Sequence, residues 1–393
     1  MKSDENKLEW IQALRGIAAL MVVIVHSRFI LQDTDAGKAV AYYVMYPMAM
    51  GVDLFFLISG FLMVLTTQNF DGTKGYAWRF MAKRIARIWP VYAVVSVAVV
   101  ALEHHGLRGF RDLSTMMPFL EGLLFIPHDP EKSPLYFLMA VSVAWTLCFE
   151  FYFYLVFASS MLFGKRRYLA MATWFAITLV LIPVMRGDFT LGVSSQPTVA
   201  WWRYANLAIN PIIWDFLFGM LAAWLYVSRV RIKSRGLIYG VMIALLAGIV
   251  INWDRLGLAN FHGPGGWGLP LAIIFFGIVL FAKLGEIKVP AWSVWLGGIS
   301  YSLYLVHLYA FEVTVKLVEH IPMAASTAKV VFFVLRPIVA VSFAALIYTY
   351  VETPSSHWMR DALLKLRFEN KSTKSAESRK PIVGDLRPND SAT

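Results

Sequence analysis

Cysteine is nearly absent from this chain, with one residue, Cys148, among 393. That excludes a disulfide framework and a cysteine metal cluster, and no metal site is expected. Charge is scarce too. Charged residues make up 16% of the chain, against 58% hydrophobic and 15% aromatic, with a mean hydropathy of +0.60. A soluble domain cannot bury that much apolar surface, whereas a polytopic membrane protein leaves it facing lipid. Acidic residues are the scarcer sign, 25 against 36 basic, for a net charge of +11. The chain lacks a phosphate-cradling Walker loop, a dinucleotide glycine fingerprint and a GxSxG nucleophile elbow. It also lacks zinc-finger spacing, a recognition helix and an aromatic RNA platform, which argues against nucleic acid as a partner. The N-terminus has no signal-peptide cleavage pattern, so the first apolar run is expected to stay as an anchor.

What the chain has in quantity is apolar runs. About ten approach the roughly 20 helical residues that cross a bilayer. They lie at approximately 10–30, 44–66, 88–103, 135–163, 168–185, 208–227, 236–252, 268–284, 293–318 and 328–351. The expected fold is all-α, a polytopic transmembrane helical bundle of about ten helices. Residues 1–9 precede it, 10–351 form the transmembrane domain, and 352–393 form a polar tail expected to be disordered. The fourth run is long enough for its start to be an interfacial segment. An apolar stretch, Met116–Ile126, is expected to lie in the interface as a short amphipathic helix.

Basic residues fall in alternate loops. One carries Lys74, Arg79, Lys83, Arg84 and Arg87, and the next such loop Lys165, Arg166 and Arg167. Then come Arg229, Arg231, Lys233 and Arg235, then Lys283 and Lys288, and finally the basic tail. The loops between them, such as 103–132 and 253–267, are acidic or nearly neutral. Cytoplasmic loops carry the basic excess, so both termini are expected in the cytoplasm. The net charge then reflects topology and contact of the lipid bilayer's anionic headgroups with those loops.

Few ionisable groups interrupt the runs, and an intramembrane charge usually marks a functional pathway. Arg15 and His26 share the first run. Eleven residues apart, they sit about 16 Å apart along a helix and roughly 20° apart around it. One face thus presents a cation near one end and an imidazole toward the other. Asp53 falls at a depth that can approach His26, Glu150 lies within the fourth run, and Tyr301, Tyr304 and His307 lie along the ninth. Arg336 sits in the tenth, and Arg84 and Arg87 are i, i+3 on one face at the start of the third. Guanidinium groups grip phosphate bidentately. A histidine is suited to act as general base on a hydroxyl, and a carboxylate such as Asp53 can orient it. Each residue also has a plainer reading. Arg15 can snorkel, His26 can make an interhelical hydrogen bond, and Arg84 and Arg87 can be topological anchors. Asp53 can cap a helix, and Glu150 can neutralise an arginine.

In order, LRGIAALMVVIVH, GVDLFFLISGF, RIARIWP, WTLCFEFYFY, GGISYSLYLVH and VETP run from Leu14 to Pro354. Each is weak alone; the ordered set resembles the acyltransferase-3 family of integral-membrane O-acyltransferases. The resemblance implies ten transmembrane helices and acyl-CoA, usually acetyl-CoA, as a cytosolic co-substrate, with no permanently bound cofactor. The implied acceptor is a glycan hydroxyl on exopolysaccharide, O-antigen or a lipid-linked repeat unit, and the location is the bacterial cytoplasmic (inner) membrane. The family's arginine–histidine pair falls on Arg15 and His26, its RxxR motif on Arg84 and Arg87, and its WxLxxE motif on Trp145 and Glu150. Its late motif falls on Ser300, Tyr301, Tyr304 and His307, and its closing motif on Glu352 and Pro354. The membrane-only subgroup is the nearest in pattern, since no extra soluble domain is expected here. Catalysis is therefore assigned to His26, Asp53 and Glu150, and acyl-CoA binding to Arg15, Arg84 and Arg87. Trp145, Tyr301, His307 and Arg336 are assigned to the cavity or acceptor. Direct transfer and a covalent acyl-histidine both fit. A secondary transporter of a glycan intermediate or small solute would also carry midplane charges, but no internal repeat supports it.

Overall fold

Helix α1 (Glu9–Ser27) forms from the first apolar run and ends in a 3-10 turn at Arg28–Leu31. The computed structural model describes residues 8–103, 113–127, 133–134, 139–194, 203–252, 262–285 and 287–377. All its regular elements are helical, and no strand occurs among the described residues.

The second run starts earlier than hydropathy suggests. Thr34 caps a turn at Asp35 by accepting from the Gly37 amide at 3.1 Å. The chain then passes a π segment and a 3-10 turn around Pro47, which lacks an amide hydrogen, before entering α2 (Gly51–Thr66). The largest departure from the hydropathy reading follows. Lys74–Arg87, read above as a loop, is the first half of a 30-residue helix, α3 (Lys74–Glu103). Thr73 starts it by accepting from the Tyr76 amide at 3.1 Å, and no glycine or proline interrupts 76–89. The basic residues are therefore held on a rigid face.

Helix α4 (Leu113–Leu123) forms in the segment expected to be amphipathic. α5 (Trp145–Met161) begins well after the start of its apolar run, preceded by non-helical backbone at 139–141. α6 (Arg167–Ala176) continues through a π segment to Arg186. Three apolar helices of 15, 17 and 17 residues follow: α7 (Ile213–Val227), α8 (Arg235–Ile251) and α9 (Gly268–Leu284). The run 293–318 is not one helix. It breaks after Gly297-Gly298 into α10 (Ala291–Gly298) and α11 (Ser300–Val318), bent by 73°. α12 (Ala325–Ile347) keeps Pro337 inside it and leads through a π segment into α13 (Thr353–Glu377). The first part of the expected disordered tail is thus helical, and residues beyond 377 lie outside the described residues. Among the described residues, six helical segments are long and apolar enough to cross a bilayer, and a seventh is if the bent pair is one span.

Loop cations also do structural work. The buried Arg167 donates to the Thr67 carbonyl and to the Tyr168 hydroxyl, both at 3.0 Å, and lies over Phe70. Lys283 donates to the Leu225 and Ser228 carbonyls at the end of α7, where a cation meets unpaired carbonyls.

Lipid is as apolar as leucine, so helices associate in a membrane by close packing rather than by hydrophobic burial. Two glycine contacts set the distances. A Cβ on Gly60 of α2 would lie 2.0 Å from the Phe216 carbonyl oxygen of α7. One on Gly219 would lie 2.0 Å from that of Leu57. Likewise a Cβ on Gly297 would lie 1.9 Å from the Gln12 carbonyl, and one on Gly16 would lie 2.9 Å from the Gly297 amide. α10 therefore presses its backbone onto α1, and α11 departs from that contact across the bundle.

Gly219→Ala should force α2 and α7 apart at a cost of about 1–3 kcal/mol, the usual range for overpacking. Gly240→Ala, with open space around the new Cβ, should cost nothing. Thermal unfolding of both variants in detergent, beside the parent chain, measures the difference.

Candidate functional site

Arg15 leaves α1 one residue before the Gly16–Gly297 contact and enters a cavity of about 250 Å³ between α1, α2, α3, α5 and α11. Its guanidinium bonds Gln12 Oε1 at 3.0 Å. The other polar lining comes from Ser59, Arg84, Arg87, Glu150, Tyr154 and Tyr301. Glu150 accepts at Oε1 from Ser59 Oγ at 3.1 Å and from the Tyr154 hydroxyl, so hydroxyls and not an arginine bond that oxygen. Arg84 donates to Thr66 Oγ1 at 3.1 Å and stacks over Phe80 and Tyr154. Arg87 has no hydrogen bond or ion pair among the described residues. Tyr301 donates to the Ile88 carbonyl at 2.7 Å, which ties α11 to α3 beside the RxxR pair.

Thr66, Arg84 and Arg87 also line a larger basin of about 610 Å³ at the end of the bundle that holds the basic segments. Arg79 and Lys83 of α3, Glu352, and His357 and Arg360 of α13 complete its polar wall. α13 is held against α3 by Trp78, whose indole donates to the Leu363 carbonyl at 3.2 Å. Arg79 is paired with Asp71 and Arg360 with Asp361, both at 3.0 Å. Lys83 and Arg87 are uncommitted among the described residues. The buried Glu352 accepts from Ser302 at 2.6 Å, fixing the junction with α13 to α11.

His26 lines neither space. It lies past the far end of the inner cavity, where Tyr304 closes the lining. Tyr304 bonds the Thr146 hydroxyl at 2.8 Å and donates to the Val143 carbonyl at 2.7 Å. One helical turn beyond Tyr304 on α11, the fully buried His307 brings its Nε2 to 3.2 Å from His26 Nδ1. Phe311 sets its edge against His307, and Arg336 lies over Phe311 at 5.0 Å, so the cation is one ring away from the pair.

Asp53 does not orient His26. It is fully buried and accepts from His262 Nδ1 at 2.9 Å and from the Gly263 amide at 2.6 Å. The reason lies in the face it occupies. Val52, Phe55, Phe56, Ser59 and Leu62 of α2 line the cavity, whereas Asp53 shares a face with Leu57 and Gly60, which pack on α7. Asp215 at the start of α7 is buried on the same side. Trp145 also lies outside the cavity, against Phe149 and His262. Of the four residues assigned to cavity or acceptor, the structure places Tyr301 in the cavity and Trp145, His307 and Arg336 outside it. Cys148 is buried and free, and no group that could hold a metal occurs among the described residues.

The sequence profile of a family described as an acyltransferase domain matches residues 8–350. The chain belongs to the acyltransferase-3 family. It is also 30% identical, over 272 residues, to the exopolysaccharide production protein ExoZ of Rhizobium meliloti (strain 1021). That match covers 68% of this chain and 78% of the relative. No solved structure matches the chain. The acyltransferase has three positions around its site that the sequence reading did not pick out. His357 and Arg360 stand i, i+3 past the last apolar run, a helical spacing that was there to be read. His262 sits in a glycine-rich loop, FHGPGGWG, where no local pattern announces burial against α2.

Asp53→Asn and His262→Gln should each lower the unfolding midpoint, and the double variant should lose less than their sum. Contacting pairs couple by about 0.5–3 kcal/mol, while distant pairs add. Asp53→Asn combined with His26→Gln should be additive. Unfolding of the six proteins in detergent measures both cycles.

Proposed function

We propose that this acyltransferase moves an acyl group, most often acetyl, from cytosolic acyl-CoA to a hydroxyl of exopolysaccharide, O-antigen or a lipid-linked glycan unit. It works in the bacterial cytoplasmic membrane with ten crossings and both termini inside. The alternating basic loops support that orientation. Its likeness to an exopolysaccharide production protein supports a polysaccharide acceptor. α7, α8 and α9 then cross as short spans, and the bent pair α10–α11 crosses once.

One observation carries the reading. Arg15, Arg84 and Arg87 line a single cavity with Glu150 as its one carboxylate, and two hydroxyls bond one oxygen of that carboxylate. Like charges repel, so three guanidinium groups gathered at one cavity, two of them half-buried and Arg87 exposed, suit an anion that arrives from outside. The basin beside it adds Arg79, Lys83, His357 and Arg360. A phosphate-rich nucleotide fits the basin through bidentate guanidinium contacts, and its thioester arm enters the inner cavity past Arg84 and Arg87.

The chemistry then falls to the histidine pair. His26 takes the proton of the sugar hydroxyl as that oxygen bonds to the thioester carbonyl carbon. The carbon–sulfur bond breaks, and the proton passes from His26 to the departing CoA thiolate. For this the arm must pass Tyr304, whose hydroxyl contacts lie between cavity and histidines. Glu150 keeps Tyr154 and Ser59 in place along the arm and takes no direct part in the proton transfer.

His26→Ala should reduce acyl transfer about 10²–10⁴-fold, the range for losing a general base. Arg84→Ala and Arg360→Ala should each raise the KM for acetyl-CoA roughly tenfold, the loss of one charge-assisted hydrogen bond, with kcat little changed. Purified protein in lipid nanodiscs, assayed for CoA release with and without glycan, tests both. Release that needs no His26, or none from any acyl-CoA, overturns the reading and favours a carrier of glycan intermediates.

A further inference from the structure

We infer that His307 is a positioning residue that, together with the Val22 carbonyl, holds His26 in the tautomer whose Nε2 is the atom that takes the proton. This rests on the acyltransferase reading above, but its geometry stands apart from it.

His307 Nδ1 lies 2.7 Å from the Tyr304 carbonyl oxygen and 3.2 Å from that of Leu303. Carbonyl oxygens only accept, so this nitrogen carries a hydrogen. The ring is fully buried, and no carboxylate bonds it among the described residues. An enclosed imidazole without an anionic partner is neutral, because burying an unpaired charge is prohibitive. A neutral ring with hydrogen on Nδ1 has a bare lone pair on Nε2. That lone pair faces His26 Nδ1 at 3.2 Å.

His26 Nδ1 therefore meets two acceptors, the His307 lone pair and the Val22 carbonyl at 2.8 Å. The single hydrogen on Nδ1 is shared between them, and both acceptors favour the same tautomer. The neutral His26 ring then has its own lone pair on Nε2, the nitrogen turned away from His307. A chain of donors runs from His26 to His307 to the Tyr304 carbonyl, and each link has one consistent direction. When His26 Nε2 accepts the hydroxyl proton, the imidazolium still donates from Nδ1 to His307. A neutral imidazole thus fills the place a carboxylate takes in a serine-protease triad, where losing the correct tautomer costs about 10⁴ in kcat.

Two amide variants separate this role from packing. A glutamine amide oxygen reaches the position of Nε2, whereas asparagine reaches only that of Nδ1. His307→Gln should keep kcat within about tenfold of the parent. His307→Asn and His307→Phe should lose about 10²–10⁴-fold, by analogy with the wrong-tautomer effect. The KM for acetyl-CoA should stay constant in all three, because His307 touches neither the basin nor the inner cavity. Nitrogen-15 spectra of histidine-labelled protein give a readout that does not depend on activity. His26, identified by the signal lost in His26→Ala, should show a protonated Nδ1 and a bare Nε2. His307→Phe, which leaves the Val22 carbonyl alone to hold that hydrogen, should raise the share of the Nε2–H tautomer. Equal kcat for the Gln and Asn variants, or a His26 tautomer unmoved by His307→Phe, overturns the inference. If the spectra behave as stated but His26→Ala releases CoA as the parent does, the kcat comparison no longer reads His26; the tautomer assignment then stands on the spectra, and the acyltransferase reading fails instead.

Discussion

The backbone contact between Gly16 and Gly297 is the constraint on which the site depends. A Cβ on either side would collide with the opposite main chain, so α10 lies flush on the first turns of α1. From that contact the chain bends by 73° into α11. The bend aims Tyr301 at α3, Tyr304 at the start of α5, and His307 at His26. In an apolar solvent such contacts are the main source of association, because burial of apolar surface against lipid yields little.

That geometry divides the polar interior into two zones. Below Tyr304 lie guanidinium groups with few anionic partners, grouped around a cavity and an open basin. Above it lies a pair of imidazoles, the buried His307 and the half-buried His26, beside Phe311 and the α1 backbone. Tyr304 serves both zones, since its side chain closes the cavity and its carbonyl holds His307.

The polar residues outside this centre mainly secure the frame. Asp53 draws in His262 and the Gly263 amide, closing a loop over α2 and α7. Arg167 and Lys283 satisfy carbonyls at helix ends, and Glu352 holds α11 at the start of α13. A bundle that faces lipid on most sides has few interior polar groups, and many of these are used to fix one helix against another.

The membrane class, the helical periodicity and the shared face of Arg15 and His26 were legible in the chain alone, because hydropathy and a 3.6-residue repeat are local properties. So was the spacing of Arg84 and Arg87, although their segment read as a loop: hydropathy averages see charge and miss a helix that continues through it. Tertiary structure decided which residue meets which. His307 reaches His26 and Asp53 does not, because the facing of α2 is set by glycine contacts with α7. His262 and Arg360 joined buried or basic clusters through loop closure and helix docking. Partnerships of that kind lie tens to hundreds of residues apart in sequence, and the chain records them only once its backbones have packed.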